Sequence, residues 1–170
     1  MPCKCEKEAD FIDDSPVIAT REQYVAECRK LLKVKWLHQG RSAAGVDCLG
    51  LLVLPAIQLG LMDPADDVAN YHRGPKGNGL DVLLHKHCCR LKHWKDAQPG
   101  DVLAIKYQDQ PQHVMVITRA WHREWGFDVI HSFGSTQTGG GVIEHRLDRL
   151  WLDSHRAKVH AGFSIRGIGD

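Results

Sequence analysis

The stretch Val46-Asp47-Cys48-Leu49-Gly50, followed by the apolar run Leu51-Leu52-Val53-Leu54, decides how this chain is interpreted. Residues 40–45 begin and end with glycine and predict a loop, whereas the apolar run predicts a buried helix. Cys48 therefore stands where a loop enters a helix, and the unpaired N–H groups and macrodipole there stabilise an anion. We expect its thiol to ionise more readily than free cysteine. A thiolate attacks carbonyl carbon, so the first hypothesis is a cysteine hydrolase acting on an amide bond; the alternative is a cysteine that merely packs as a small apolar residue.

Two histidines downstream supply the other groups that such chemistry needs. His113 opens the alternating segment His-Val-Met-Val-Ile-Thr, and His131 lies near the end of the segment Phe-Asp-Val-Ile-His-Ser. A general base must come within about 3 Å of the nucleophile, which is the role predicted for His113. His131, on the next predicted strand, is placed to orient that base through its other ring nitrogen. Each histidine alone fits a surface position at a strand end. A cysteine at a helix start, followed by a histidine on each of two successive strands, favours a catalytic site.

The composition of the 170 residues is typical of a single soluble globular domain. We predict a poorly ordered N-terminal arm over residues 1–19 and one domain over residues 20–170. The formal net charge of +1 gives no case for binding nucleic acid through a basic surface. The sequence lacks an apolar run long enough for a membrane-spanning helix, and its first residues lack the apolar core of a secretory signal.

The six cysteines do not form the pattern of a disulfide framework, and most are expected to be reduced. Cys3 and Cys5 could be paired with Cys88 and Cys89 as zinc ligands, but neither pair has the usual ligand spacing. We therefore predict neither a metal nor a cofactor, and a zinc-binding module remains a distant alternative.

The order of the predicted elements indicates an α+β fold. Thr20 predicts the N-cap of a helix that runs to about Lys33. A second helix is predicted over 48–59, ending at Gly60, and a third over 80–91. Beyond the turn at 99–101 the apolar period changes to two and predicts strands over 102–107, 113–120, 127–132 and 141–146, with a possible fifth over 163–166. The other histidines of this half, at 122, 145, 155 and 160, are predicted to be solvated.

Taken together, several short motifs resemble the NlpC/P60 family of papain-like cysteine peptidases over roughly residues 20–165. The resemblance is closest to the phage-associated branch of the family, including similar proteins of gene transfer agents. The motifs that carry it are Trp36–Arg41, Asp47–Gly50, Pro99–Leu103, Gln112–Val114, Ile130-His131 and Val142–Asp148.

This resemblance implies a permuted papain-like core, with helices packed on an antiparallel sheet. It implies that Cys48 is the nucleophile, His113 the general base and then acid, and His131 the residue that orients it. The implied substrate is the stem peptide of peptidoglycan. The implied partners are phage tail-tip or hub proteins, so the protein would be made in the host cytoplasm and act on the periplasmic cell wall as part of a virion or phage-like tail.

Two positions depart from the family pattern. Trp36 stands where relatives often carry a tyrosine that helps to hold the oxyanion, and Leu49 stands where they commonly carry serine. Trp36 and Asp47 are retained as candidate oxyanion or substrate-binding residues, with Asp47 suited to an ammonium group. The departures leave two alternatives open: a structural tail-assembly protein of the same fold without activity, and a papain-like thiol amidase or acyltransferase with another substrate.

Overall fold

A computed structural model describes residues 16–68, 71, 79–107, 110–121, 125–135 and 139–170. Its centre is a six-stranded antiparallel sheet with the strand order β4-β9-β5-β6-β7-β8. These strands are β4 (Cys88–Arg90), β5 (Val102–Tyr107), β6 (Gln110–Ala120), β7 (Phe127–Phe133), β8 (Gly141–Leu147) and β9 (Ala157–Ile165). Two further pairs of short strands are β1 (Ala19–Thr20) with β10 (Ile168–Gly169), and β2 (Arg41–Ser42) with β3 (Gly45–Val46).

Helices α1 and α2 each begin directly after a residue whose side chain caps them. Helix α1 (Arg21–Lys30) starts after Thr20, whose side chain forms a reciprocal capping box with Gln23. Helix α2 (Cys48–Gln58) starts after Asp47 and runs through Pro55. The other helices are α3 (Gly79–His87) and α4 (Arg149–Ser154).

Both faces of the central sheet are buried at its middle, which explains the consecutive apolar residues there, such as Val114–Ile117 of β6. Val114 and Val116 of β6 face a core shared with α1, α2 and α3. The alternate residues Met115 and Ile117 face a second core that includes Leu152 of α4. Successive side chains of a strand point to opposite faces, so α1, α2 and α3 on one face and α4 on the other bury the middle of the strand.

The α+β fold with N-terminal helices on an antiparallel sheet is as predicted, and four of its strands lie where the alternation placed them. The third helix was predicted too long: it ends at His87, and residues 88–90 pair with β9 instead. The predicted strand at 163–166 is only the end of β9, which begins at Ala157. Neither α4 nor the β1–β10 pair was predicted. Ile18 and Ala19, within the predicted arm, hydrogen bond to the Gly167 carbonyl; residues 1–15, with Cys3 and Cys5, lie outside the described residues, as does His122.

Candidate active site

Cys48 is the first residue of α2, as the sequence predicted, and it remains partly exposed. The loop before it packs tightly against the start of the helix. A Cβ added to Gly50 would lie 2.2 Å from the Gly40 carbonyl oxygen, and one added to Gly40 would lie 2.3 Å from the Gly45 carbonyl oxygen. Only glycine allows this close approach of backbone to backbone, and the approach fixes where the thiol emerges.

Asp47 is buried and holds the loop and the helix start together. Its Oδ1 accepts from the Gly50 N–H at 2.9 Å, which is an N-cap bond, and from Arg41 Nη1 at 3.2 Å. Its Oδ2 accepts from the Gln39 N–H at 2.8 Å and from the Tyr71 hydroxyl. Both carboxylate oxygens are thus engaged by donors of the chain itself. The role of Asp47 in binding a substrate ammonium group stays a prediction.

Arg41 extends this network to the segment that follows α2. Its guanidinium forms a two-point ion pair with Asp67, at 2.8 and 3.1 Å, and donates to the Tyr71 hydroxyl at 3.2 Å. Such paired hydrogen bonds fix geometry as well as charge. Asp67 and Tyr71 are therefore both joined, through Arg41, to Asp47, the residue that precedes Cys48.

A row of aromatic rings lies beside this network. The Trp36 indole stacks on the His38 ring with centroids 6.4 Å apart, and His38 meets the edge of Tyr71 at 5.5 Å. Trp36 also forms a parallel bridge with Val46, two residues before Cys48. Trp36 therefore lies beside the loop that precedes Cys48. Its role in holding the oxyanion stays a prediction.

The two predicted histidines are in direct contact. His113 Nε2 lies 2.7 Å from His131 Nδ1, and both rings are buried. The strand that carries His131 is also tied to the cysteine loop, because the Ser132 hydroxyl donates to the Val46 carbonyl at 2.7 Å. These bonds join β6, β7 and the start of α2 into one site.

The sulfur of Cys48 approaches β6 at the residue after His113. Burial raises the pKa of the Cys48 thiol to about 12, and the neighbouring Asp47 carboxylate raises it further, whereas hydrogen bonds from the backbone of Val114, Leu49 and Cys48 lower it. The backbone donors expected at a helix start are therefore present, but desolvation of the charged form outweighs them. The expectation that Cys48 ionises more readily than free cysteine is wrong for this site without substrate.

The same burial keeps both imidazoles neutral. Desolvation lowers the pKa of His113 to about 4, against a raising effect of Asp47 and a smaller lowering effect of His145. Desolvation also lowers the pKa of His131 to about 2, reinforced by His113, His145 and His155. Both directions of shift favour a thiol and neutral imidazoles over an ion pair in the site without substrate.

A third ring, His145 on β8, continues the chain of histidines. Its Nε2 lies 2.9 Å from His131 Nε2, and its Nδ1 lies 2.8 Å from the Arg146 carbonyl oxygen. The prediction that His145 is merely solvated was wrong. Its only signal in the sequence was its position inside the Val142–Asp148 motif. The predictions of exposure for His155 and His160 are confirmed.

Among the described residues, no three side chains of histidine, cysteine, aspartate or glutamate are arranged to hold a metal ion. The helices of the described ranges include none that is both long and apolar enough to cross a bilayer.

The fold is that of NlpC proteins. The chain superposes on the structure of NlpC2 from Trichomonas vaginalis with a TM-score of 0.54 and 17% identity, over 94% of this chain and 49% of that one. It superposes on NlpC1 from the same organism with a TM-score of 0.54 and 16% identity, over 94% of this chain and 46% of that one. The chain thus spans about half the length of these structures. No protein-family model matches the sequence, and no curated protein matches it.

Proposed function

We propose that this protein is a cysteine peptidase that hydrolyses amide bonds in peptidoglycan stem peptides. The observation that carries the proposal is the hydrogen-bonded pair His113–His131, fixed on the strands next to a cysteine that begins a helix. The NlpC-like fold supports a peptidase of this class. In this proposal Cys48 is the nucleophile, His113 the general base and His131 the residue that orients His113.

The reaction begins with a neutral pair. Because the proton rests on sulfur and His113 is neutral, His113 removes that proton as the sulfur attacks the scissile carbonyl. Its Nε2 is engaged by His131, so Nδ1 is the nitrogen that receives the proton. Backbone N–H groups at the start of α2 are suited to stabilise the oxyanion. The C–N bond then breaks, the amine leaves with the proton from His113, and water hydrolyses the thioester.

The setting that we propose is the tail tip of a phage or phage-like particle, including a gene transfer agent. Its support is the sequence resemblance at residues 38–41, 112–114 and 142–148. The protein would be made in the host cytoplasm, join tail-tip or hub proteins, and act on the periplasmic cell wall as the tail crosses it.

The test is digestion of purified peptidoglycan by the full chain and by Cys48→Ala, with the products identified by mass spectrometry. We expect release of cleaved stem peptides by the wild type and none by Cys48→Ala, with the thermal unfolding midpoint little changed. Cys89→Ala is the matched control, because its thiol lies on β4 at the far side of the sheet, and it should cleave like the wild type. Equal cleavage by Cys48→Ala would refute the proposal.

One observation favours a second candidate, a structural tail-assembly protein of the same fold without activity. Burial holds the Cys48 thiol protonated, whereas an active nucleophile must lose that proton during attack. Absence of cleavage by a folded wild-type protein would support this candidate. Cleavage or acyl transfer on substrates other than peptidoglycan would instead indicate a different thiol amidase or acyltransferase.

A further inference from the structure

The three histidine rings form a chain that ends on a backbone carbonyl, and that end determines the direction of every bond in it. The carbonyl oxygen of Arg146 can only accept a hydrogen bond. His145 Nδ1, at 2.8 Å from this oxygen, must therefore carry the hydrogen. A neutral imidazole has a single N–H, so His145 Nε2 is left as an acceptor.

The constraint passes from ring to ring. His131 Nε2 lies 2.9 Å from the accepting His145 Nε2, so His131 donates with its Nε2–H. Its Nδ1 is then an acceptor, and it faces His113 Nε2 at 2.7 Å. His113 accordingly donates with its Nε2–H, and the nitrogen left without hydrogen is Nδ1.

We infer that His145 is a positioning residue: held by the Arg146 carbonyl, it fixes His131 and His113 in the tautomers that leave His113 Nδ1 free to accept a proton. The catalytic consequence rests on the proposed function, because His113 Nδ1 is the nitrogen that takes the proton of Cys48. With the opposite direction of bonding, Nδ1 would carry hydrogen and could not act as the base. The sequence pattern gave His145 no such role.

The structure holds the His145 ring from a second side. Trp151 of α4 stacks on it with centroids 5.2 Å apart and planes 26° from parallel. The same indole forms an edge-to-face contact with His131, with centroids 6.4 Å apart. Asp148 caps α4 by accepting from the Trp151 N–H at 2.9 Å. His155 also stacks on Trp151, with ring centroids 4.0 Å apart. Its hydrogen bonds go to Ser154 and to the Trp151 carbonyl rather than to His131.

The direct test is the tautomer of each ring. The full chain is labelled with ¹⁵N-histidine, and two-bond proton–nitrogen correlation spectra are recorded at about pH 8, above the usual pKa of histidine. These spectra distinguish the two tautomers, and single substitutions assign the signals to each ring. We expect Nε2–H forms for His113 and His131 and an Nδ1–H form for His145. An Nδ1–H form of His113 in the wild type would overturn the inference. This outcome is independent of whether any peptidoglycan is cleaved, so it separates failure of the inference from failure of the proposed function.

The second test compares His145→Phe, which keeps a stacking ring without an acceptor, with His145→Gln, whose amide oxygen can accept from His131 Nε2–H. On solubilised muropeptides we expect His145→Phe to lower kcat by about tenfold or more with little change in KM, and His145→Gln to recover most of it. His155→Phe is the control, with kcat unchanged. A His145→Phe variant that keeps the wild-type kcat and the wild-type His113 spectrum would refute the role of His145.

Discussion

Lowering the pH from 7 to 5 should destabilise this protein through the two buried imidazoles of the site. Histidine in an unfolded chain titrates with a pKa of about 6.5, whereas burial lowers the pKa of His113 to about 4 and that of His131 to about 2. Below pH 6.5 the unfolded chain therefore binds protons that the folded protein does not, so the free energy of unfolding falls as pH falls. The two rings together should remove about 4 kcal/mol between pH 7 and pH 5. The contribution of His113 stops growing near pH 4, which is about the pKa of this ring in the folded protein.

The assay is urea unfolding followed by tryptophan fluorescence at several pH values between 5 and 7. In His131→Asn the pH-dependent loss should shrink to about half, because one of the two buried rings is gone. His160→Asn is the matched control and should change the slope much less, because that ring on β9 is exposed. An unfolding free energy that stays flat from pH 7 to pH 5, or an equal slope in His131→Asn and the wild type, would refute the reasoning.

Two further predictions concern the start of α2. Gly50→Ala should lower the free energy of unfolding by about 1–3 kcal/mol, because the clash of its Cβ with the Gly40 carbonyl exceeds the helix propensity that alanine adds; a chemical denaturation curve with unchanged or higher stability would contradict this. Asp47→Asn should lower the pKa of Cys48, because it removes the second-largest cause of the raised value, after burial. In this variant, alkylation of Cys48 by iodoacetamide at pH 9, followed by mass spectrometry, should then be faster than in the wild type. An equal or slower rate would argue against the charge of Asp47 as a cause of the raised pKa of Cys48.

The parts of the structure that followed from the sequence are those fixed by local patterns. The capping residue Thr20 located the start of α1, the junction of the 40–45 loop with the apolar run located the start of α2, and alternation located four strands. Cys88 and Cys89 were assigned to a helix because their local pattern continues that of α3. Their pairing with Ser164 and Ile165 depends on a strand more than seventy residues away, which no local pattern contains.

The site shows the same division between local and distant causes. Cys48 and the pair His113–His131 could be picked from their predicted places on a helix and two strands. His145 could not, because its neighbours Glu144 and Arg146 are typical of a solvated strand face and its bond to His131 exists only once β7 and β8 pair. The ionisation of Cys48 was misjudged for a related reason: the helix start is visible in the sequence, whereas the desolvation that outweighs it comes from the assembled strands.

The group hydrogen bonded to His113 is the imidazole of His131 rather than a carboxylate, and this affects when a thiolate can form. A buried carboxylate hydrogen bonded to His113 would favour its charged form and with it a thiolate–imidazolium pair before substrate arrives. His131 is neutral and buried, so it orients His113 without attracting positive charge to it. In the proposed reaction the thiol therefore stays protonated until substrate binds, and proton transfer to His113 accompanies attack on the bound carbonyl. In such an arrangement the direction of the hydrogen bonds matters more than their charge, which is why the tautomers of the three rings are the feature of this site on which its proposed chemistry depends.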